Sequence, residues 1–336
     1  MTPALLLEWS IKSAVIIAVL ITGFAYLTLF ERRVLARMQV RIGPNRAGPN
    51  GLLQPIADAI KLVFKEELIP AQADKLIFIL APIITVVPAL IVLAVVPFGP
   101  QITLFGRTIT MGLADNVNVG VLYIMAVTSI AVYGITLAGW SSNNKYALMG
   151  GLRSSAQMVS YELALGLSFI GPILLANSMS MRDIVVAQTR IPFVVFQPIG
   201  FIIFLIATLA EVNRAPFDMP EAEQELTAGY HVEYSGMKFA LLFMAEYDKM
   251  IAVSTIGASL FLGGYLGPFV QQLPWLGPMY LLLKVVFLLF IMIWLRATLP
   301  RFRYDRLMAF GWKIMLPLAL LNVAATAVIV VLTAGG

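Results

Sequence analysis

The stretch LIFILAPIITVVPALIVLAVVPF, residues 76–98, contains no charged side chain and decides the fold class of this chain. A transmembrane helix needs about 20 mostly apolar residues to cross a hydrocarbon core of about 30 Å. The rest of the chain agrees with this stretch, since 60% of its 336 residues are hydrophobic, only 12% are charged and the mean hydropathy is +0.89. This composition excludes a water-soluble domain and indicates a protein of the bilayer.

Seven further apolar segments are long enough to cross the membrane. We therefore predict an all-α, polytopic membrane protein of eight transmembrane helices that forms a single membrane domain over residues 1–336. The predicted spans are Ser13 to Phe30, Leu76 to Phe98, Asn116 to Trp140, Ala156 to Ala176, Phe193 to Ala210, Phe239 to Gly263, Met279 to Leu295 and Ile314 to Thr333. The sixth is the weakest prediction because Glu246, Asp248 and Lys249 lie in its first half.

The distribution of basic residues predicts the orientation of these spans. The loops after the odd-numbered spans hold eight, two, two and five Lys or Arg, which makes seventeen, whereas the N-terminus and the alternate loops hold four. Cytoplasmic loops gather Lys and Arg, so both termini should face outward. The net charge of +5 is explained by this orientation, and we do not attribute it to nucleic acid binding.

The chain has no cysteine and a single histidine, His231. Disulfides, iron–sulfur clusters and thiolate metal sites are therefore excluded, and a metal site built from imidazoles has too few ligands. Any redox cofactor must belong to a partner chain.

The first cytoplasmic loop, residues 31–75, is predicted to have its own structure. Arg33, Arg37 and Arg41 recur every fourth residue and share a helix face until Gly43 and Pro44 break the helix. Between residues 53 and 65 an apolar stripe faces a polar one, a pattern that is typical of a helix in the membrane interface. The same periodicity also fits an amphipathic helix without a functional role.

The third cytoplasmic loop, residues 211–238, is unusually acidic and begins EVNRAPFDMPEAEQELTAGYHVEY, residues 211–234. Its acidic residues are Glu211, Asp218, Glu221, Glu223, Glu225 and Glu233. Pro220 suits the first turn of a helix, and Asp218 with Glu221 resembles a capping box. Acids in a first helical turn interact favourably with the helix dipole by about 0.3–1 kcal/mol each, which explains two or three of them without a functional role.

Two further acids, Glu162 and Glu246, lie within predicted spans among apolar residues. An acid at mid-bilayer costs a few kcal/mol at least, and such residues usually belong to ion or proton paths. Burial also makes protonation near neutral pH accessible to a carboxyl group, so we interpret both as relay residues. For Glu246 a purely structural pair with Lys249 or Lys284 is the alternative.

Four motifs carry a family resemblance that runs nearly from end to end. They are ERRVLARMQVRIGPNRAGPNGLLQPIADAIKL at 31–62, AGWSSNNKYALMGGLRSSAQMVSYEL at 138–163, EVNRAPFDMPEAEQELTAGYHVEYSGMKFALLFMAEY at 211–247 and RATLPRFRYDRLM at 296–308. These motifs resemble the H-subunit family, also called subunit 1, of proton-pumping NADH-quinone oxidoreductase, respiratory complex I. The resemblance implies a membrane-arm subunit at the junction with the peripheral redox arm, in the inner (plasma) membrane of a bacterial cell.

The resemblance also implies roles for individual positions. An acidic funnel between the quinone chamber and the membrane would consist of Glu162, Glu211, Asp218, Glu221, Glu223, Glu225, Glu233, Glu246 and Asp58. The quinone passage would be lined or supported by Arg32, Arg37, Arg41 and Phe217. Asp248 and Lys249 depart from the small or amide residues expected after Tyr247, and we expect them to form a local ion pair.

The implied activity is the coupling of quinone reduction to proton translocation, with quinone as substrate and no redox centre in this chain. FMN and iron–sulfur clusters would belong to partner subunits. The expected partners are the peripheral-arm subunits at the quinone site and the small membrane-arm subunits. Two alternatives stay open at this point. One is the membrane anchor of a related membrane-bound hydrogenase, and the other is a stand-alone secondary transporter, although we find no convincing internal repeat.

Overall fold

The computed structural model describes residues 3–104, 107–218 and 229–334. Within these ranges the chain is mostly α-helical. The helices are α1 Pro3–Met38, α2 Gln54–Phe64, α3 Lys75–Ile91, α4 Gly120–Ser141, α5 Lys145–Ala176, α6 Met181–Ala187, α7 Phe193–Phe196, α8 Pro198–Glu211, α9 Gly236–Phe261, α10 Leu276–Thr298, α11 Tyr304–Phe310 and α12 Leu316–Ala334. A π-helical segment, Gly311–Met315, connects α11 to α12. The 3-10 segments are Pro49–Gly51, Val92–Val95 and Gly229–His231.

One small element departs from the all-α prediction. Strands Ile102–Leu104 and Arg107–Ile109 pair in antiparallel fashion, with Thr103 opposite Thr108. This hairpin lies in the connection between α3 and α4, and it is too short to change the fold class. The protein is a predominantly helical membrane protein.

Six of the described helices are long and apolar enough to cross a membrane. They are Leu6–Met38, Lys75–Val95, Gly120–Ser141, Lys145–Ala176, Leu276–Thr298 and Tyr304–Thr333. The other two predicted spans fall on helices of a different kind. α8 is apolar but has only 14 residues, and α9 has 26 residues but carries Glu246, Asp248 and Lys249.

Helix α9 forms the centre of the fold. Its residues from Ala245 to Phe261 are buried with the single exception of Ile251, which is partly buried. The helix packs against α1, α3 and α10. Gly257 permits the close approach of α8, because a Cβ atom at this position would overlap the ring of Phe204. The charged residues of α9 are therefore enclosed by neighbouring helices of the same chain.

The first loop follows the sequence prediction only in part. α1 ends at Met38 rather than at Gly43, because Val40 adopts a positive φ of 54° that no longer continues a right-handed helix. Gly48 and Gly51 also adopt positive φ and form the turn before α2. In α2 the apolar residues Ile56, Ile60 and Val63 are exposed on the surface of the protein. Asp58, on another face of the helix, pairs with Arg32 of α1.

Candidate functional site

Of the acids predicted for coupling, the structure buries two and partly buries a third. Glu211 is 4% exposed at the end of α8, and Glu246 is 7% exposed in α9. Glu162 of α5 is half-buried and accepts a hydrogen bond from the hydroxyl of Ser129 in α4. Of the other predicted acids, Glu221, Glu223 and Glu225 lie outside the described residues, as does the helix predicted to begin at Pro220.

Lys249 of α9 lies among these three acids. Its Nζ is 4.0 Å from Oε1 of Glu211, and the ammonium is also within electrostatic reach of Glu162 and Glu246. Charges interact more strongly in a buried environment than in water because the local dielectric constant is lower. Helices α5, α8 and α9 therefore bring three carboxyl groups and one cation into a single cluster, which we call the acid cluster.

This geometry corrects the expected ion pair of Asp248 with Lys249 and removes one of the two partners considered in the structural alternative for Glu246. Asp248 and Lys249 do not form an ion pair, since Lys249 is paired with Glu211 and the carboxylate of Asp248 has no hydrogen-bond partner among the described residues. Adjacent residues of a helix point in directions about 100° apart, which explains why the two side chains separate. Lys284 does not pair with Glu246 either, because its Nζ donates to the carbonyl oxygens of Gly264 at 2.8 Å and Leu266 at 2.7 Å.

A tyrosine links the acid cluster to the third loop. The hydroxyl of Tyr230 donates a hydrogen bond of 3.0 Å to Oε1 of Glu246. Tyr230 lies in the 3-10 segment Gly229–His231, and Gly229 packs directly on Gly150 of α5. The backbone of the loop is thus fixed against α5 at the residue that contacts Glu246. Sequence periodicity does not reveal this contact, which depends on the path of the loop.

A buried amide, Gln157 of α5, holds the segment that follows Glu211. Its Nε2 donates to the carbonyl oxygens of Ala210 and Phe217, each at 2.7 Å, and to Oδ1 of Asn213 at 3.2 Å. Buried polar groups with several partners fix the conformation of the chain around them. Gln157 is absent from the residues predicted from sequence, although a lone amide five residues before Glu162 in an apolar helix is a detectable pattern.

A second ionic cluster, also absent from the sequence prediction, joins α1, the third loop and α10. The carboxylate of Glu31, which is 2% exposed, accepts from NH1 of Arg214 at 3.2 Å and from NH1 of Arg296. The guanidinium of Arg214 also lies 4.2 Å from the ring centroid of Tyr247, a cation–π contact. Burial lowers the pKa of Arg214, but Glu31 and its neighbours raise it by more, so the guanidinium stays charged.

The remaining predicted acids make contacts at the edge of the first and third loops. Oδ2 of Asp58 is 2.7 Å from NH1 of Arg32, and Oδ1 accepts from Gln54 at 3.1 Å. Oε1 of Glu233 accepts from Nδ2 of Asn144 at 2.7 Å. The backbone carbonyl of Asp218 accepts from Arg301. Asp58 and Glu233 thus make contacts of their own, whereas the contact of Asp218 with Arg301 is made by its backbone.

The four residues predicted for the quinone passage are dispersed. Arg32 pairs with Asp58, while Arg37 and Arg41 are exposed. Phe217 is buried, and its ring lies 5.6 Å from the ring of Tyr161 and 5.6 Å from that of Phe302. Phe217 therefore contributes to the packing against α5.

An apolar cavity of about 1060 Å³ lies between α1, α9 and α10. Along α1 it extends from Ile11 to Phe30, a length of about 28 Å at the rise of an α-helix. Its lining is almost entirely hydrophobic and includes Leu281, Val285 and Leu289 of α10. Phe30 directly precedes Glu31, so one end of the cavity approaches the second ionic cluster. The cavity has the shape and polarity for an extended hydrocarbon chain.

Comparison with known proteins gives a consistent result along almost the whole chain. The sequence model of the NADH dehydrogenase family matches residues 11–327. The H subunit of NADH-quinone oxidoreductase from Thermomicrobium roseum is 53% identical over 325 residues, which cover 94% of each chain. An H subunit of the same enzyme from Geobacter sulfurreducens, numbered 1, is 53% identical over 95% of this chain and 94% of its own length. An H subunit from Syntrophobacter fumaroxidans, numbered 2, is 51% identical over 94% and 93%, respectively.

Proposed function

Because this chain belongs to the NADH dehydrogenase family and, within it, to the H-subunit group of NADH-quinone oxidoreductases, we propose that its acid cluster couples quinone reduction to proton translocation. The protein is a membrane subunit of this oxidoreductase, respiratory complex I. The hydrogenase-anchor and stand-alone transporter interpretations are not supported, since the matched relatives carry the name of the NADH-quinone enzyme over nearly their full length. Quinone is the substrate of the complex.

The observation that carries the proposal is the pairing of Glu211 with Lys249 beside Glu162 and Glu246. Ionisable residues inside a membrane protein are costly and usually mark an ion or proton path. Here they connect in space the third loop, through Tyr230 and Glu246, with the membrane helix α5, through Glu162. A change in the charge of a loop acid would therefore alter the electrostatic energy of protons held within the helices.

We propose the following sequence of events. Iron–sulfur clusters of partner subunits would supply the electrons for the reduction of the quinone, which would bind next to the first and third loops. The quinone takes up protons as it is reduced, and the acids of the third loop, Asp218, Glu221, Glu223, Glu225 and Glu233, change their charge in response. Glu211, Glu162 and Glu246 then transmit this change laterally by protonation, so that neighbouring membrane-arm subunits move protons. This chain transfers no electron itself, and FMN belongs to a partner.

The apolar cavity between α1 and α10 is the proposed site for the isoprenoid tail of the quinone. Its length of about 28 Å and its apolar lining suit a hydrocarbon chain. The head of the molecule would then lie near the end of the cavity at Phe30, beside Glu31 and the first loop. Arg32 and Asp58 support that loop by joining α1 to α2, and Arg37 and Arg41 contribute positive charge on the same side.

The topology of the protein is also part of the proposal. We propose eight spans in a bacterial plasma membrane, with α8 and α9 added to the six long apolar helices and with both termini outside. The excess of basic residues in the loops after the odd-numbered spans supports this orientation. The outward-facing apolar residues of α2 support an interfacial position for residues 31–75, and residues 211–238 would face the peripheral-arm partners.

Replacement of Glu211 by Gln tests the role of the acid cluster. The variant keeps the shape of the side chain, but the amide carries no charge and can neither take up nor release a proton as the carboxyl group does. In membrane vesicles with the assembled complex, we expect NADH-driven proton pumping to fall about ten-fold or more. The matched control is Glu67→Gln, which removes a surface carboxylate paired with Lys238 and should leave pumping unchanged. Wild-type pumping in Glu211→Gln would refute the proposed role.

A further inference from the structure

Within the part of the chain that the structure describes, Lys249 is a buried cation without a fixed hydrogen-bond partner. The residue is 6% exposed, and its Nζ makes no hydrogen bond to the described residues. The distance of 4.0 Å to Glu211 allows Coulomb attraction but exceeds the length of a direct N–H···O hydrogen bond. A buried ammonium in this state is held by the surrounding charges and not by directional bonds. Its position should therefore respond when those charges change.

The charges that face Lys249 come from three helices. Glu211 ends α8, Glu162 lies in α5, and Glu246 precedes Lys249 by three residues on the same face of α9. Asp248 points elsewhere and forms no ion pair with Lys249, so it does not compete for the ammonium. The flexible four-carbon stem of lysine permits the ammonium to move between neighbouring acceptors.

We propose that the ammonium of Lys249 moves between the carboxyl groups of the acid cluster and thereby controls which of them holds a proton. This inference rests on the proposed function of the cluster. When Glu211 is ionised, the ammonium pairs with it. When Glu211 takes a proton, its attraction for the ammonium is lost, and the cation moves towards Glu162 and Glu246. There it favours the ionised carboxylate, so a proton held by either residue is released onward. Lys249 stays protonated throughout. The only bonds that form and break are the O–H bonds of the carboxyl groups that take up and release protons.

The proposal assigns Lys249 a positioning role that differs from structural support. A structural cation would mainly affect assembly, whereas a mobile charge affects the number of protons moved for each NADH oxidised. The ratio of protons pumped to NADH oxidised separates the two roles, because it is measured on the complex that has assembled. Assembly itself is measured on native gels of solubilised membranes.

Lys249→Met in the assembled complex is the main test. We expect the ratio of protons pumped to NADH oxidised to fall at least about two-fold, the lower end of the coupling between buried charged residues. Lys249→Arg keeps the positive charge and should restore the ratio towards that of the wild type. Lys284→Met is the matched control: it removes an intramembrane lysine that binds carbonyl oxygens and no acid, and it should not change the ratio. A wild-type ratio in Lys249→Met would overturn the inference.

The double variant Glu211→Gln/Lys249→Met provides a second test that does not depend on the assembly of the single lysine variant. It removes both charges of the pair, so no uncompensated charge is left in that position. We expect the ratio of protons pumped to NADH oxidised in the double variant to equal that of Glu211→Gln. A clearly higher ratio in the double variant would contradict a role of Lys249 in moving protons. If Glu211→Gln reduces pumping and Lys249→Met does not, only the inference about Lys249 fails. If Glu211→Gln pumps like the wild type, the proposed function fails.

Discussion

The guanidinium of Arg214 lies 3.2 Å from the carboxylate of Glu31, 183 positions away in the chain, and joins α1 to the loop after α8. Arg296 of α10 donates to the same carboxylate. Three elements that are distant in sequence thus meet at one buried acid. The contact fixes the segment that carries Glu211 relative to the helix that carries the first loop.

Removal of Glu31 should therefore be far more damaging than removal of its outer partner. Glu31→Gln leaves the buried Arg214 without its counter-charge, and we expect the complex to lose about 3–5 kcal/mol of stability. Arg296→Gln leaves the inner pair intact, and its side chain is 35% exposed, so we expect a loss of at most about 1 kcal/mol. Thermal unfolding of the purified complex measures both. Equal losses of stability in the two variants would show that the pair of Glu31 with Arg214 does not stabilise the protein more than the pair of Glu31 with Arg296 does.

Filling the apolar cavity should slow the reduction of long-tailed quinones selectively. Val285→Phe places a ring in the cavity, and we expect kcat/KM for a long-chain quinone to fall about ten-fold, equivalent to about 1.4 kcal/mol. A quinone with a short tail should be reduced at nearly the wild-type rate. Val331→Phe, at an exposed position of α12, is the control with the same substitution. If both quinones slow equally in Val285→Phe, the cavity does not hold the tail.

Asp248 should be a site at which the complex can be stabilised. Its side chain is fully buried, and both carboxylate oxygens are without a hydrogen-bond partner among the described residues. A buried, uncompensated carboxylate is costly, so Asp248→Asn should raise stability by about 1–3 kcal/mol. Asp183→Asn, which changes an exposed carboxylate that accepts a hydrogen bond from Ser178, should change stability by no more than about 1 kcal/mol. A lower melting temperature in Asp248→Asn would mean that the carboxylate has a stabilising partner in the complex.

Tyr234 should make the stability of the complex sensitive to alkaline pH. Burial raises the pKa of this tyrosine to about 12, and a hydrogen bond with Ser141 lowers it by less. In the unfolded chain the pKa is about 10, so the unfolded state loses the proton first. Stability contributed by the neutral hydroxyl is complete below about pH 10 and is lost as the pH rises to about 12. The loss amounts to about 3 kcal/mol, since each unit of pKa difference is equivalent to about 1.4 kcal/mol.

Tyr234→Phe removes the titrating hydroxyl but keeps the ring, which stacks on Phe78 at 4.0 Å. We expect this variant to lose less stability than the wild type between about pH 9 and about pH 11. Melting temperatures of the solubilised complex at the two pH values measure the difference. An identical alkaline loss in variant and wild type would assign the effect to other groups.

The sequence predicts the helices better than their contacts. Continuous apolar runs identify the six long spans because an uncharged stretch such as residues 76–98 has few alternatives to a transmembrane helix. The predicted end of α1 at Gly43 is wrong, because the positive φ of Val40, which ends the helix at Met38, has no recognisable sequence pattern. The hairpin after α3 escapes prediction, since three-residue strands leave no clear alternation.

The sequence identifies the intramembrane acids, because a charged residue in an apolar span is energetically unfavourable. It does not identify their partners, which depend on the tertiary structure. Glu162 and Glu246 are recognisable because charge within an apolar span is expensive. The pairing of Lys249 with Glu211, in contrast, joins two helices that are separated by the entire third loop, and the sequence suggests Asp248 instead. Glu31 looks in the sequence like the boundary of the first span, although its partners Arg214 and Arg296 make it a buried ionic centre.

The most direct test of the coupling role is the number of protons translocated for each NADH oxidised, measured in vesicles that carry Glu162→Gln or Glu211→Gln. If the acid cluster transmits the effect of quinone reduction, each variant should assemble and its ratio should fall at least about two-fold relative to the wild type. If both variants reduce quinone and pump protons at the wild-type ratio, the acid cluster does not couple the two processes.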